Sequence, residues 1–236
     1  MSLRTVARTR KQLGWMITSP KYCQLIRDAN KGKRLEWCQK MIAEQELFED
    51  VIFSDESTIQ LETHRKRCYR RKNQPRKLKP RPKHPPKIHV WAGISKRGAT
   101  SIVLFSGIMT ATRYTEILEA SLLPFVREVY PEGHRFQQDN DPKHCAHYTR
   151  NYFDSNGINW WRTPAESPDL NPIENVWGSM KEFLRNTYKP KNLDDLKKGI
   201  KEFWKTMTPA VCTRYIDHLK KVMPAVVTKE GAPSGF

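Results

Sequence analysis

The chain has 236 residues, 38% of them hydrophobic, and a formal net charge of +17. Its apolar content and seven tryptophans exclude a disordered chain, no apolar run approaches the ~20 residues of a membrane span, and MSLRTVARTRK lacks the apolar core of a secretory signal. Five cysteines without a CxxC favour reduced thiols, so a soluble intracellular protein with one sizeable domain and appendages is expected.

In chain order, LRTVARTRKQLGW predicts a short basic helix closed near Gly14, and Leu35, Cys38, Met41 and Ile42 give a second helix its apolar stripe. DVIFSD and STIQLE read as two strands, IHVWAGIS and TSIVLFSG as two more, punctuated by Gly98 and Gly107. Tyr114, Ile117, Leu118, Ser121, Leu122, Phe125 and Val126 recur at helical spacing over 111–129. A strand at HRFQQD, a short helix from His147 to Phe153, a strand at INWWRT and a helix from Pro172 follow. Helices from Leu193 to Trp204 and Pro209 to Val222 are capped by Asn192 and Thr208. Strands first, then strands alternating with helices, predict an α/β domain with a mixed sheet.

The charge is unevenly spread. Residues 1–40 hold ten Lys/Arg against Asp28 and Glu36, and residues 63–87 hold twelve with no acid, while the rest nearly cancels. Two basic segments beside a neutral body point to a polyanion partner and to binding that weakens steeply with salt. A solvated loop or a nuclear import signal is the simpler reading of such a run.

Three acids fall where a divalent-metal nuclease needs them. Asp55 and Asp139 each follow a short apolar strand, and Glu174 sits in the first turn of a helix striped by Ile173, Trp177, Met180 and Leu184. Mg²⁺ prefers oxygen ligands supplied by a few carboxylates plus substrate phosphate, and two ions ~4 Å apart can activate an attacking oxygen and stabilise a leaving one. Each acid also has an ordinary reading: Asp55 as a turn opener, Asp139 as an Asx-turn, Glu174 as the third residue of a capping box behind Asn171 and Pro172.

The segments VIFSDEST, HVWAGIS, FQQDNDPKH and SPDLNPIENVWG, with thirty-four residues between Asp139 and Glu174, resemble the Tc1/mariner transposases of the D,D,E superfamily, most closely the Tc1-like branch. The resemblance covers roughly residues 30–225. It implies a ribonuclease-H-like fold, a mixed five-stranded sheet flanked by helices. By it Asp55, rather than Glu56, and Asp139, rather than Asp141, join Glu174 as catalytic metal ligands, with Asn140 and His144 in support. The implied activity is Mg²⁺-dependent cleavage of DNA at inverted-repeat ends, with Mn²⁺ substituting and two ions in use, and strand transfer into TA sites. Double-stranded DNA, a homodimer or larger assembly, and the nucleus follow as partners and place. A decayed copy that binds DNA without chemistry is the alternative reading.

The implied organisation is a helix-turn-helix remnant at 1–20, a basic helical linker at 21–46, a catalytic domain at 47–225 and a flexible tail at 226–236. A clamp-like insert at 62–87 would bring Arg65, Lys66, Arg67, Arg70, Arg71, Lys72, Arg76 and Lys77 to DNA or a partner subunit. Family members usually carry two helix-turn-helix units, of which only Leu3 to Trp15 has a counterpart here. His144, Cys145 and His147 lie close together, but zinc sites usually add a second ligand pair that this stretch lacks.

Overall fold

The computed structural model describes residues 2–16, 24–61, 83 and 85–236. Strand β1 (Val51–Gln60) pairs antiparallel with β2 (Lys87–Ser95), Phe53 facing Ile94 and Gln60 facing Lys87. Strands β3 (Gly98–Ala99) and β4 (Val103–Phe105) pair with β2, and β5 (Arg135–Gln137) runs parallel to β1. The sheet is thus five-stranded and mixed, as expected.

DVIFSD and STIQLE form one strand rather than two. The polar SDES run reads as a break, yet alternation sends Phe53, Asp55 and Ile59 to one face and Ile52, Ser54 and Glu56 to the other. Asp55 therefore lies mid-strand, opposite Ala92, and not at a strand end. At INWWRT the expected strand shrinks to one bridge between Phe136 and Trp160.

The described residues form ten α-helices, of which all but the first pack around the sheet or its flanking helices: α1 (Leu3–Gln12), α2 (Asp28–Ala43), α3 (Ala111–Ile117), α4 (Leu123–Val129), α5 (Pro142–Cys145), α6 (His147–Asn156), α7 (Pro172–Phe183), α8 (Leu193–Trp204), α9 (Pro209–Asp217) and α10 (Leu219–Thr228). The odd-numbered face of β1 packs with Val90, Ala92 and Ile94 against Trp177 and Met180 of α7 and Ile200, Ile216 and Val226 of α8 to α10. Ile52, Trp91 and Phe136 pack on the other face against Tyr114, Leu118 and Phe153. Trp91 and Trp177 are fully buried, and truncating either to alanine should cost about 3–5 kcal/mol.

Helix 111–129 is continuous but widens at Leu118–Leu122, where Leu123 N–H reaches back five residues to the Leu118 carbonyl. Pro124 follows at once and has no N–H to give, which favours this wider turn. Helix α1 buries none of its residues. Within α2, Cys38 and Met41 face the core as expected, whereas Ile42 is exposed and Arg34 is fully buried.

The C-terminal segment is packed, against the expectation of a free tail. Helix α10 continues to Thr228, Arg34 Nε donates to the Gly231 carbonyl at 2.9 Å, and Ser234 N–H donates to Asp169 at 2.9 Å. Gly231 has φ +84 and lies so close to α2 that a Cβ there would meet the Lys31 carbonyl oxygen at 2.0 Å. Only glycine satisfies both constraints. No helix among the described residues is long and apolar enough to cross a membrane.

Candidate active site

Asp55, Asp139 and Glu174 line one cavity of about 350 Å³, walled by Gln137 and by the loop 163–168. Strand β1 presents Asp55, the loop after β5 presents Asp139, and the first turn of α7 presents Glu174. Asn140 lines the cavity and is exposed.

Helix α7 is seated differently from a capping box. Asn171 precedes Pro172, but no side chain caps the helix; Asn171 Nδ2 instead donates to the Ser54 carbonyl at 3.1 Å. That bond ties the start of α7 to the strand carrying Asp55. Glu174 thereby faces Asp55 because of a link between helix and strand, where a local cap had been expected.

Asp55 and Glu174 form the inner pair. Burial, and then the nearby charges of Glu174, Glu56 and Asp139, hold the Asp55 carboxyl well above its ordinary value. Glu174 is also raised, by lost hydration at the cavity wall, while Lys181 and a hydrogen bond with Asp55 pull the other way. Both carboxyls therefore resist ionising. Trp177 Nε1 donates to Asp55 Oδ2 at 3.1 Å and fixes its plane.

Asp139 belongs to a second cluster. His144, 2% exposed, donates from Nδ1 to Asp139 Oδ1 at 2.5 Å and from Nε2 to Glu56 Oε1 at 2.9 Å. Burial opposes the charge on His144, but these two carboxylates win and push it up to about 9, so both ring nitrogens carry protons at neutral pH. Asp139 falls below its ordinary value: burial opposes the shift, and the hydrogen bond and charge of His144 overcome it. The Tyr114 ring lies 4.1 Å from the imidazole, and its hydroxyl donates to Gln138 at 2.5 Å. Asp139 Oδ1 accepts from Asp141 N–H as well, which leaves Oδ2 for the cavity.

The neighbouring acids are committed elsewhere. Asp141 accepts from Lys143 N–H and pairs with Lys143 Nζ at 2.8 Å, and Glu56 holds His144. Among the described residues no three Asp, Glu, His or Cys side chains converge on one point as they stand. Asp55 and Glu174 are hydrogen-bonded to each other, and Asp139 lines the same cavity. Nor do zinc ligands converge at 144–147: His144 is spent between two acids, and His147 Nδ1 meets Asn151.

The donor set still fits a divalent ion. Two carboxyls whose like charges oppose each other are stabilised by a cation, and the available donors are oxygens, which suits Mg²⁺ and Mn²⁺. Sequence reasoning missed Glu56, set aside as the neighbour of Asp55, and Trp177, read only as core. The eight basic residues from Arg65 to Lys77 lie outside the described residues.

The family profile described as DDE superfamily endonuclease matches residues 50–197. The chain is 29% identical over 241 residues to the Tc3 transposase of Caenorhabditis elegans, covering 100% of this chain and 72% of that protein. It is 27% identical to the Tc1 transposase of the same organism, over 98% of this chain and 86% of that one. The Mos1 mariner paired end complex with Mn superposes with a TM-score of 0.83 at 20% identity, over 98% of this chain and 72% of that one. The fold is thus the ribonuclease-H-like fold that the resemblance implied.

Proposed function

We infer the chemistry from the premise that this chain belongs to the DDE superfamily of endonucleases and is a transposase catalytic domain. It cuts phosphodiesters at transposon ends and joins the freed 3′-hydroxyls to target DNA at TA sites. Asp55, Asp139 and Glu174 are the metal ligands, and their meeting in one cavity from three separate elements carries this reading.

Two Mg²⁺ or Mn²⁺ ions held there would activate the attacking oxygen and stabilise the leaving one. Asp55 and Glu174 would hold the ion as carboxylates, and because both are raised above their ordinary values, affinity should rise with pH. Asp139 offers Oδ2, while Oδ1 stays with His144 and the Asp141 N–H. Trp177 keeps Asp55 in plane, and Asn171 keeps α7 in register with β1.

The Mos1 relative is named as a paired end complex with Mn, which supports a divalent ion and an assembly on paired ends. A dimer or larger assembly on double-stranded DNA, with residues 65–77 on the DNA backbone or a partner subunit, and residence in the nucleus complete the proposal. The deciding assay incubates the full chain with Mn²⁺ or Mg²⁺ and DNA carrying candidate ends, beside Glu174→Gln. Nicking by the native chain alone supports the reading. Equal nicking by both, or none by the native chain in Mn²⁺, overturns it.

A further inference from the structure

Three cavities lie in succession along the first turn of α7, each sharing lining residues with the next. The acid cavity shares Glu166, Pro168 and Glu174 with a neighbour of about 550 Å³, which in turn shares Asn175 with a third of about 460 Å³ on α9. Together they make a trough from Glu174 past Asn175 to Arg214, Tyr215 and His218.

Its charge changes along its length. Near the acids, Glu166 is matched by Arg27 and Asn30, and Asp169 accepts two bonds of 2.9 Å from Arg34. At the far end, neither Arg214 nor Lys229 has a carboxylate partner among the described residues; Lys229 Nζ donates only to the Ser234 carbonyl, at 2.6 Å. Planar side chains stand beside these cations. Phe236, 64% exposed, meets His218 edge-on at 5.3 Å, and Tyr215 is half-buried in the same wall.

The geometry points to a binding track for a single nucleotide strand, running from the scissile phosphodiester past Asn175 to α9. Phosphates lie against Arg214 and Lys229, and a base stacks on Tyr215 or Phe236. Cations beside aromatic faces suit a strand of any sequence, since every base has a π-face to stack. An acidic peptide would meet the cations but leave the aromatic faces unused. The track rests on the reading of the acid cavity as the site of attack on DNA.

The test uses the full chain and two duplexes, one blunt and one whose cut strand runs on as an oligo-dT extension with 5-iodouracil at successive positions. The extension should raise affinity about tenfold and crosslink to Tyr215 or Phe236 at one register. Arg214→Gln with Lys229→Gln should remove that gain and make the plot of log affinity against log salt shallower by about 1.4, while blunt-duplex affinity changes less than twofold. Should the double variant fold poorly, the exposed Arg214→Gln alone should reduce the slope by about 0.7. No gain from the extension, a gain that survives the substitutions, crosslinks only elsewhere, or an acidic peptide that competes equally well overturns the track. Nicking is followed in the same tubes: its absence with crosslinks retained overturns only the catalytic reading, and nicking without any extension gain overturns only the track.

Discussion

The inner pair and the outer cluster use the same chemical group in opposite ways. Asp55 and Glu174 face each other beside the core, lose hydration and repel, so both resist ionising. Asp139 is more open to water, its side chain 55% exposed, yet it ionises readily because His144 brings a positive charge to it. Burial alone does not set a carboxylate's state. The partner does: His144 sets a positive charge beside Asp139, while Asp55 is surrounded by like charges. A divalent ion would supply a positive charge there.

Substitutions in the inner pair should have the largest effect. Asp55→Asn or Glu174→Gln should lower nicking roughly a thousand-fold or more, about 4 kcal/mol of lost transition-state stabilisation. Circular dichroism should show the fold intact in both. If either variant keeps a tenth of native activity in single-turnover assays, the inner pair does not hold the metal.

His144→Ala should cost less, about 10- to 100-fold, because it orients a ligand without being one. The loss should appear as a higher Mn²⁺ requirement. Glu56→Gln should restore most of it relative to Glu56→Ala, since the amide oxygen still accepts from Nε2. If Glu56→Ala matches the native chain, the outer cluster serves stability alone.

The two clusters also answer pH oppositely when metal is absent. Asp55 and Glu174 have raised folded values, so their contribution to stability is full below about pH 4 and is lost as pH rises through those values. Asp139 is lowered, so its contribution is present above about pH 4 and lost as pH falls through its folded value. His144, raised to about 9, contributes fully below about pH 6.5 and loses that contribution as pH rises through about 9. Asp55→Asn should therefore stabilise the metal-free chain at pH 8 and change little at pH 4, read from thermal melts at both. An equal shift at both pH values would mean that Asp55 is not raised in the folded chain.

The outer cluster was half legible in the sequence. Asp139 and His144 are five residues apart in one loop, so their pairing is local, but Glu56 lies 88 residues from His144 and only the sheet brings it there. Helix Leu193–Trp204 and the helix start at Pro209 were legible because apolar period and caps coincide, and Asn192 and Thr208 accept the bonds expected of them; the division of Pro209–Val222 after Asp217 and the run on to Thr228 were not. Strand β1 was misread because its polar middle hides a two-faced pattern that appears only once β2 fixes the register. Asn171 and Trp177 escaped for a related reason. Each sits where a local rule already explains it, as a cap or as core, and the bond it makes reaches another element.

Trp177→Phe tests that last bond with the smallest expected effect. Phenylalanine keeps most of the buried apolar ring and deletes the indole N–H that donates to Asp55 Oδ2. In the metal-free chain the raised Asp55 carboxyl is neutral below its folded value, where the lost bond is between neutral groups and should cost about 1 kcal/mol beyond the change in packing. With Mn²⁺ bound Asp55 is a carboxylate, and a hydrogen bond to a charged group is worth about 1.5–3 kcal/mol. The destabilisation measured by denaturant titration should therefore grow when Mn²⁺ is added, and apparent Mn²⁺ affinity should fall several-fold to match. Equal destabilisation with and without the ion would mean that Trp177 only fills space, and that the plane of Asp55 is fixed by burial.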